Sequence, residues 1–213
     1  MKSEPTRFIV VRHGETEWNR TKVYQGQMDS PLSELGLKQA EAVAKALADE
    51  AIDVIYASDL GRAFTSAEII SVPHKIEVVT DIRLRERHLG VFQGLHNDEM
   101  QNQYPEDVAK YRSGDPDHVI PGGESSRQRY DRSTACLKEL AKRHAGGRLL
   151  IVTHGGVLRG FLEMVLRLPM NAKRRFSLYN AGIARLSLLR DHWMMDSWGE
   201  TWHLKGLEIG DDY

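Results

Sequence analysis

The chain has almost no sulfur chemistry and no long apolar run. Its single cysteine, Cys136, excludes a disulfide within these 213 residues. No apolar stretch approaches the roughly 20 residues that a membrane-spanning helix needs. The first apolar run ends at Arg12, and the start of the chain lacks the pattern of a secretory signal peptide. These absences exclude a disulfide-built scaffold and predict a cytoplasmic protein with no membrane partner.

An excess of charge of either sign is also missing. Lys and Arg total 29 against 30 for Asp and Glu, so the formal net charge is -1. Proteins that bind nucleic acid usually have a basic excess, and we expect no nucleic-acid partner. A small anionic ligand needs only a local positive pocket and remains compatible with this balance. The length predicts a single domain over 1–213, and nothing in the sequence indicates an oligomeric state.

Short apolar runs rich in β-formers alternate with segments of helical periodicity. Strands are predicted at Phe8–Val11, Val54–Ala57, Ile76–Val79, Leu149–Thr153, Ile183–Leu189 and Trp193–Trp198, with a tight turn at Arg190–His192. Helices are predicted over about sixteen residues from Ser33, at 60–70, Asp98–Tyr104, Glu106–Tyr111, Ser125–His144 and Val157–Leu166, and residues 12–32 are predicted to be irregular. This alternation is typical of an α/β fold with a mostly parallel sheet and helices on both faces.

Two of the predicted strands end in the same way. His13-Gly14 follows the first strand, and His154-Gly155 follows the fourth. A glycine after the histidine lets the backbone turn sharply and bring its N–H groups close to a ligand. Ligands bind beyond the carboxyl ends of parallel strands, so the pattern favours one site that contains both histidines. Chance is the alternative, because the chain has nine histidines.

A third strand end contributes an arginine. Arg62 lies in the first turn of the predicted helix after Val54–Ala57, where a cation gains nothing from the helix dipole. Its guanidinium could bind an oxyanion there, with an ordinary solvated arginine as the alternative. Arg12 would add a second guanidinium to a rim that is then well suited to phosphate. A neighbouring arginine also lowers the pKa of an imidazole, which leaves His13 unprotonated and nucleophilic at neutral pH.

Metal ligation is the competing use of two histidines. The chain contains no H-E-x-x-H motif and no cysteine pair, and Arg12 and Arg62 would repel a cation. The sequence therefore predicts no metal and no cofactor. It favours phosphoryl transfer through a covalent phosphohistidine on His13.

The motifs on this rim resemble those of the histidine phosphatase superfamily, which contains the cofactor-dependent phosphoglycerate mutases and related phosphatases. They are Arg12-His13-Gly14-Glu15-Thr16-x-Trp18-Asn19, Leu32-Ser33-x-x-Gly36, Ser58-x-Leu60-x-Arg62-Ala63-x-x-Thr65 and His154-Gly155-Gly156-x-x-Arg159. They occur in the order of the family and span nearly the whole chain. The resemblance implies a phosphoglycerate mutase-like fold, a three-layer α/β/α sandwich.

The resemblance also implies roles for individual residues. His13 would be phosphorylated, and Glu86, within a family-like segment from Leu84 to Gly94, would be the acid/base carboxylate. Without the resemblance, Glu86 is better explained as a surface charge paired with Arg85 or Arg87. The residues implied to bind the phosphoryl group or the substrate are Arg12, Asn19, Gln25, Gly26, Arg62, His154, Gly155 and Gly156.

Two outcomes of the chemistry stay open. Water that reaches the phosphohistidine makes the enzyme a phosphatase, whereas re-phosphorylation of a retained product makes it a mutase. A segment at about 95–125 is predicted to cover the pocket, and its Tyr104-Pro105-Glu106 and Pro121–Ser125 resemble the shorter phosphatase branch. Glu86-Arg87-His88 instead resembles the mutases. We favour hydrolysis of a small phosphorylated metabolite, with the mutase and a catalytically silent phosphate-binding module as alternatives.

Other residues receive structural interpretations. Cys136 is predicted to lie in the core, and Lys173–Arg175 to form a solvated turn. Three tryptophans are predicted to cover the sheet: Trp193, Trp198 and Trp202. Some of the arginines near the cover could meet a second anionic group of the substrate, namely Arg83, Arg85, Arg87, Arg112, Arg127 and Arg129.

Overall fold

A single six-stranded sheet organises the structure, a computed structural model that describes residues 4–210. The strand order is β3-β2-β4-β1-β5-β6, and β3, β2, β4 and β1 pair in parallel. β5 and β6 add an antiparallel edge. The strands are β1 (Thr6–Arg12), β2 (Val54–Ala57), β3 (Val78–Thr80), β4 (Arg148–Thr153), β5 (Ile183–Leu189) and β6 (His192–Glu200).

Helices cover both faces of this sheet. Among residues 4–210 the helices are α1 (Glu17–Thr21), α2 (Glu34–Leu47), α3 (Gly61–Ser71), α4 (Asn97–Gln103), α5 (Pro105–Ser113), α6 (Ser126–Arg143) and α7 (Gly155–Leu166), of which α2, α3, α6 and α7 pack on the sheet. Successive β1 side chains alternate between two cores, as a strand requires. Phe8 and Val10 pack with residues of α6 and α7, and Ile9 and Val11 pack with residues of α2 and α3. The prediction of a three-layer α/β/α sandwich is confirmed.

The predicted irregular stretch 12–32 is wrong in one place, because it contains α1. Thr16 and Asn19 form a reciprocal capping box, in which the Asn19 amide donates to Thr16 Oγ1 at 3.0 Å and the Thr16 amide donates to Asn19 Oδ1 at 3.1 Å. None of the five residues of α1 is buried, and the helix therefore carries no apolar periodicity that would reveal it.

Two predictions on the edges of the sheet also need correction. β3 begins two residues later than predicted, because Lys75 turns the chain with φ 56° and the pairing with β2 starts at Val78. Trp193 and Trp198 pack on the core as expected. Trp202 does not, since it lies beyond β6 in a short 3₁₀ turn and is 64% exposed.

The segment after β3 builds a small core of its own. α4 and α5 correspond to the two predicted short helices, and both lie in the predicted cover at about 95–125. Met100, Val108 and Ile120 from this segment pack with Leu89 and Phe92 in a cluster separate from those on the sheet faces. Between residues 4 and 210, no helix combines the length and the apolar character needed to cross a membrane.

Candidate active site

The pairing of β1 with β4 brings the two histidines together. These neighbouring parallel strands are in register up to Arg12 and Thr153, so the next residue of each strand is a histidine. The amide of His13 continues the ladder by donating to the carbonyl of Thr153 at 2.9 Å. The centroids of the His13 and His154 rings are 5.1 Å apart, in an edge-to-face arrangement. The sequence motif and the sheet register thus place both rings in one site.

His13 is held in one orientation by its own turn. The ring is buried, and its Nδ1 lies 2.7 Å from the carbonyl oxygen of Gly14. A carbonyl oxygen only accepts, so Nδ1 carries the proton and Nε2 keeps its lone pair. Burial first, then the charges of Arg62 and Arg12, hold the pKa of His13 well below its usual 6.5. The imidazole is therefore neutral near pH 7, with its nucleophilic nitrogen at Nε2.

Glycine is required where the first turn packs against the start of α2. A Cβ on Gly14 would lie 2.4 Å from the carbonyl oxygen of Gly36, and a Cβ on Gly36 would lie 1.9 Å from the carbonyl oxygen of Glu15. Ser33 caps α2 by accepting from the Gly36 amide at 3.0 Å and donates to the Glu15 carboxylate at 2.7 Å. The motif Leu32-Ser33-x-x-Gly36 therefore braces the turn that carries His13.

His154 has a different environment. It is fully buried at the N-cap of α7, and neither ring nitrogen has a hydrogen-bond partner among residues 4–210. Burial first, then Arg62, His13 and Arg12, hold its pKa well below 6.5. Unpaired buried polar atoms are costly, and a helix N-terminus favours an anion. This arrangement suits an incoming oxyanion that accepts a hydrogen bond from the ring.

Arg12 extends from the end of β1 towards the second turn, the one at His154-Gly155 after β4. It is buried, and its guanidinium donates to the carbonyl of Leu178. A Cβ on Gly155 would lie 3.5 Å from Arg12 Nε, so the first residue of α7 lies directly against this side chain. Arg12 thus lies next to the helix N-terminus that begins after His154.

Arg62 is buried at the start of α3 and is fastened to one loop. Its guanidinium donates to the carbonyls of Gly26 at 2.7 Å and Met28 at 2.9 Å, and pairs with Asp29 at 3.1 Å. Burial lowers its pKa, and the Asp29 carboxylate opposes that change. An arginine keeps its charge in either case, so Arg62 acts on both histidines as a fixed positive charge.

The predicted substrate-binding residues of the first loop serve largely as its internal supports. Asn19 caps α1, and Gly26 supplies a carbonyl to Arg62. Gln25 is buried; its Nε2 donates to Thr16 Oγ1 at 2.8 Å, and its Oε1 has no partner among residues 4–210. Asn180, which the sequence did not single out, donates to the His13 carbonyl at 3.2 Å. No local pattern around Asn180 could have revealed this contact.

Glu86 lies against the second turn. Its Oε2 accepts from the Gly156 amide at 2.8 Å, and its Oε1 accepts from the Arg87 amide at 2.6 Å. A Cβ on Gly156 would lie 2.2 Å from Oε1, so only glycine leaves room for the carboxylate there. The neighbouring guanidinium of Arg85 pairs with Asp59 instead. Glu86 therefore lies in the site. Its carboxylate accepts the hydrogen bond of the Gly156 amide, which was predicted to assist phosphate binding.

The arginines around the cover have protein partners. Arg87 is buried, and its guanidinium donates to Glu124, Ser126 and His118. The partners of the others are Asp81 and Glu139 for Arg83, Asp59 for Arg85, Asn97 and Gln101 for Arg112, Asp117 for Arg127 and the Gly156 carbonyl for Arg129. These contacts give all six arginines a role within the protein.

No three or more His, Cys, Asp or Glu side chains between residues 4 and 210 are grouped so that they could hold a metal ion. The groups around His13 are instead donors and positive charges: Arg12, Arg62, His154 and the start of α7. Such a set can neutralise the equatorial oxygens of a transferring phosphoryl group.

Comparison with known proteins gives consistent matches over most of the chain. Residues 8–201 match the model of the histidine phosphatase superfamily, branch 1. A metal-independent phosphoserine phosphatase of Arabidopsis thaliana is 41% identical over 213 residues, which cover 97% of this chain and 87% of that protein. A probable phosphoglycerate mutase of Proteus mirabilis is 37% identical over 208 residues, which cover 95% of this chain and 97% of that protein. The solved structure of a mycobacterial glucosyl-3-phosphoglycerate phosphatase has a TM-score of 0.82 and 32% identity, covering 92% of this chain and all of that one, 100%.

Proposed function

The chain belongs to branch 1 of the histidine phosphatase superfamily, and from that premise we propose that it hydrolyses phosphomonoesters through a phosphohistidine on His13. The observation that carries the proposal is the state of the His13 ring. It is buried, its pKa is lowered chiefly by that burial, and its Nδ1 lies against the Gly14 carbonyl, which leaves Nε2 as the nucleophile. A covalent intermediate divides one difficult hydrolysis into two easier transfers.

In the first transfer, Nε2 of His13 attacks phosphorus and the bond to the leaving oxygen breaks. Arg12, Arg62 and His154 stabilise the phosphoryl oxygens, and Glu86 gives its proton to the departing alkoxide. In the second transfer, Glu86 takes a proton from water as the water oxygen attacks phosphorus. The P–N bond then breaks, and His13 and inorganic phosphate are released.

The substrate class we propose is a small phosphorylated metabolite that also carries a carboxylate. The names of the similar proteins mention phosphoserine, phosphoglycerate and glucosyl-3-phosphoglycerate, and all three molecules combine a phosphomonoester with a carboxylate. The mutase is the second candidate, because the relative from Proteus mirabilis is named for that activity. Release of inorganic phosphate from 3-phosphoglycerate supports hydrolysis, whereas conversion to 2-phosphoglycerate without release supports the mutase.

Rapid quench tests the covalent step directly. Mixing the enzyme with labelled p-nitrophenyl phosphate should trap phosphate that is labile in acid, stable in base and located on His13. Digestion followed by peptide mass spectrometry identifies the labelled residue. Label on a serine, on Cys136 or on no residue would rule out the mechanism.

A chelator provides the matched control for that assay. Because no described carboxylate or imidazole cluster can hold a metal, burst size and turnover should be unchanged after dialysis against EDTA. Loss of activity that Zn²⁺ or Mg²⁺ restores would support a metal-dependent hydrolase instead.

A further inference from the structure

One arginine binds the backbone of Glu86 and of the residues before it. Arg132 lies on α6, and its Nη1 donates to the carbonyls of Arg83 at 2.9 Å and Arg85 at 2.7 Å. Its Nη2 donates to the carbonyl of Glu86 itself at 2.8 Å. Three carbonyls of a four-residue stretch thus converge on one guanidinium. Regular secondary structure does not hold this stretch beyond the 3₁₀ turn at Ile82–Leu84.

Glu124, near the end of the segment at about 95–125, binds both Arg132 and the backbone after Glu86. Its carboxylate accepts from Arg132 Nε at 3.0 Å and Nη2 at 2.5 Å, and also from the amide of His88 at 2.9 Å. The two side chains are mostly buried, with exposed fractions of 22% for Arg132 and 16% for Glu124. Charge-assisted, bidentate hydrogen bonds of this kind are strong and directional. The Arg132–Glu124 pair therefore clamps the chain before and after Glu86.

Two side chains from other elements bind the same stretch. Thr153 at the end of β4 donates through Oγ1 to the carbonyl of Leu84 at 2.7 Å. Gln27 donates through Nε2 to the carbonyl of Glu86 at 3.0 Å. The Glu86 backbone is thus fixed between the strand that precedes His154 and helix α6. Its carboxylate is fixed separately on the Gly156 amide.

We propose that Arg132, held by Glu124, is the positioning residue for the acid/base step of Glu86, an inference that rests on the proposed function. Arg132 itself acts through the backbone of residues 83–86 and is not a catalytic residue. A planar fork is needed because one group must meet three carbonyls and a carboxylate at once, which the point charge of lysine cannot do. Misplacement of a catalytic group by about 1 Å can cost on the order of 10²-fold in rate.

The test compares leaving groups that differ in their need for a proton. Arg132→Gln should lower kcat/KM for β-glycerophosphate roughly 10- to 100-fold, because its alkoxide depends on a well-placed acid. The phosphorylation burst with p-nitrophenyl phosphate should fall much less, and phosphohistidine should accumulate. Arg132→Lys keeps the charge and should give an intermediate loss. In a Glu86→Gln background, Arg132→Gln should add no further loss with β-glycerophosphate, because its effect passes through Glu86.

Lys138→Gln is the matched control, since Lys138 is an exposed cation on the same helix. It should leave both substrates unaffected. If Arg132→Gln fails to fold, Arg132→Lys and Glu124→Gln provide the same comparison of leaving groups. Equal losses for both substrates, or losses that multiply in the Glu86→Gln background, would overturn the positioning role alone. Absence of phosphohistidine in the unaltered enzyme would overturn the proposed function, and the inference with it.

Discussion

The two His-Gly turns have nearly the same sequence but different environments. The His13 ring is bound by the carbonyl of its own turn, and its pKa is lowered chiefly by burial with Arg62 and Arg12 as secondary causes. The His154 ring has no described partner and stands at the N-terminus of α7. One imidazole is oriented in advance, and the other keeps both nitrogens available to a ligand. The same His-Gly pair at neighbouring strand ends thus has two environments, which fit the nucleophile and the oxyanion donor of the proposed function.

The structure of the chain after each histidine explains this difference. After Gly14 the chain stays irregular and packs against Gly36, so the His13 turn can bend its carbonyl back to the ring. After His154 the chain enters α7 immediately, and its amides point towards the site. Gly156 then receives Glu86 on that helix end. The turn at His154 therefore brings together the N-terminus of α7 and the Glu86 carboxylate, the two groups to which the proposed function gives oxyanion binding and acid/base catalysis.

The largest changes in kcat are expected when each of the two histidines is replaced by glutamine. His13→Gln removes the nucleophile and should reduce kcat by roughly 10⁴-fold or more, with no labelled intermediate. His154→Gln removes one oxyanion donor and should reduce kcat by roughly 10²- to 10³-fold. Steady-state rates and rapid quench measure both effects. A labelled intermediate in His13→Gln, or none in His154→Gln, would reverse the assigned roles.

Replacing Glu86, whose carboxylate binds the Gly156 amide, should produce the next largest effect. Glu86→Gln should lower kcat/KM for β-glycerophosphate by roughly 10²-fold or more, within the usual range of general acid catalysis. The p-nitrophenolate leaves without much help, so its burst should fall less. Phosphohistidine should also accumulate, because water then lacks its base. If both leaving groups lose equally and nothing accumulates, Glu86 has a structural role and the proton has another source.

The smallest expected effect is on stability, and both turns should share it. His13 and His154 have pKa values below 6.5 in the folded state, so the unfolded chain binds protons first as the pH falls. The contribution of the two histidines to the free energy of unfolding is fully present above about pH 6.5. Below that pH it should decline, by up to about 1.4 kcal/mol per pH unit for each histidine. Urea unfolding at pH 7.5, 6.5 and 5.5 measures this slope.

Glutamine variants identify the origin of that slope. His13→Gln and His154→Gln should each flatten it, while the exposed His192→Gln should leave it unchanged. A slope that persists in the variant with both histidines replaced would assign it to the other histidines whose pKa burial lowers, His74 and His203.

Much of the site could be predicted because it depends on local pattern. The apolar runs that end at Arg12 and Thr153 predicted the parallel strands, and parallel strands place their carboxyl ends at one edge. The cover helices were predicted with boundaries within two residues. α1 was missed because its stability comes from a capping box and not from apolar periodicity. Trp202 was misplaced because composition does not say which aromatic side chains lie beyond the sheet.

By itself, the sequence determined the alternation of strands and helices and the residue types at each strand end, since these depend on spacing along the chain. Only the tertiary structure decided that the Glu86 carboxylate binds Gly156, that Arg62 is fastened to the loop at Gly26, and that Arg132 holds the backbone around Glu86. Those contacts join residues 36 to 70 positions apart. Hydrogen bonds are short and directional, so contacts over such separations form only where the complete fold brings donor and acceptor within reach, and no local pattern of the sequence specifies that.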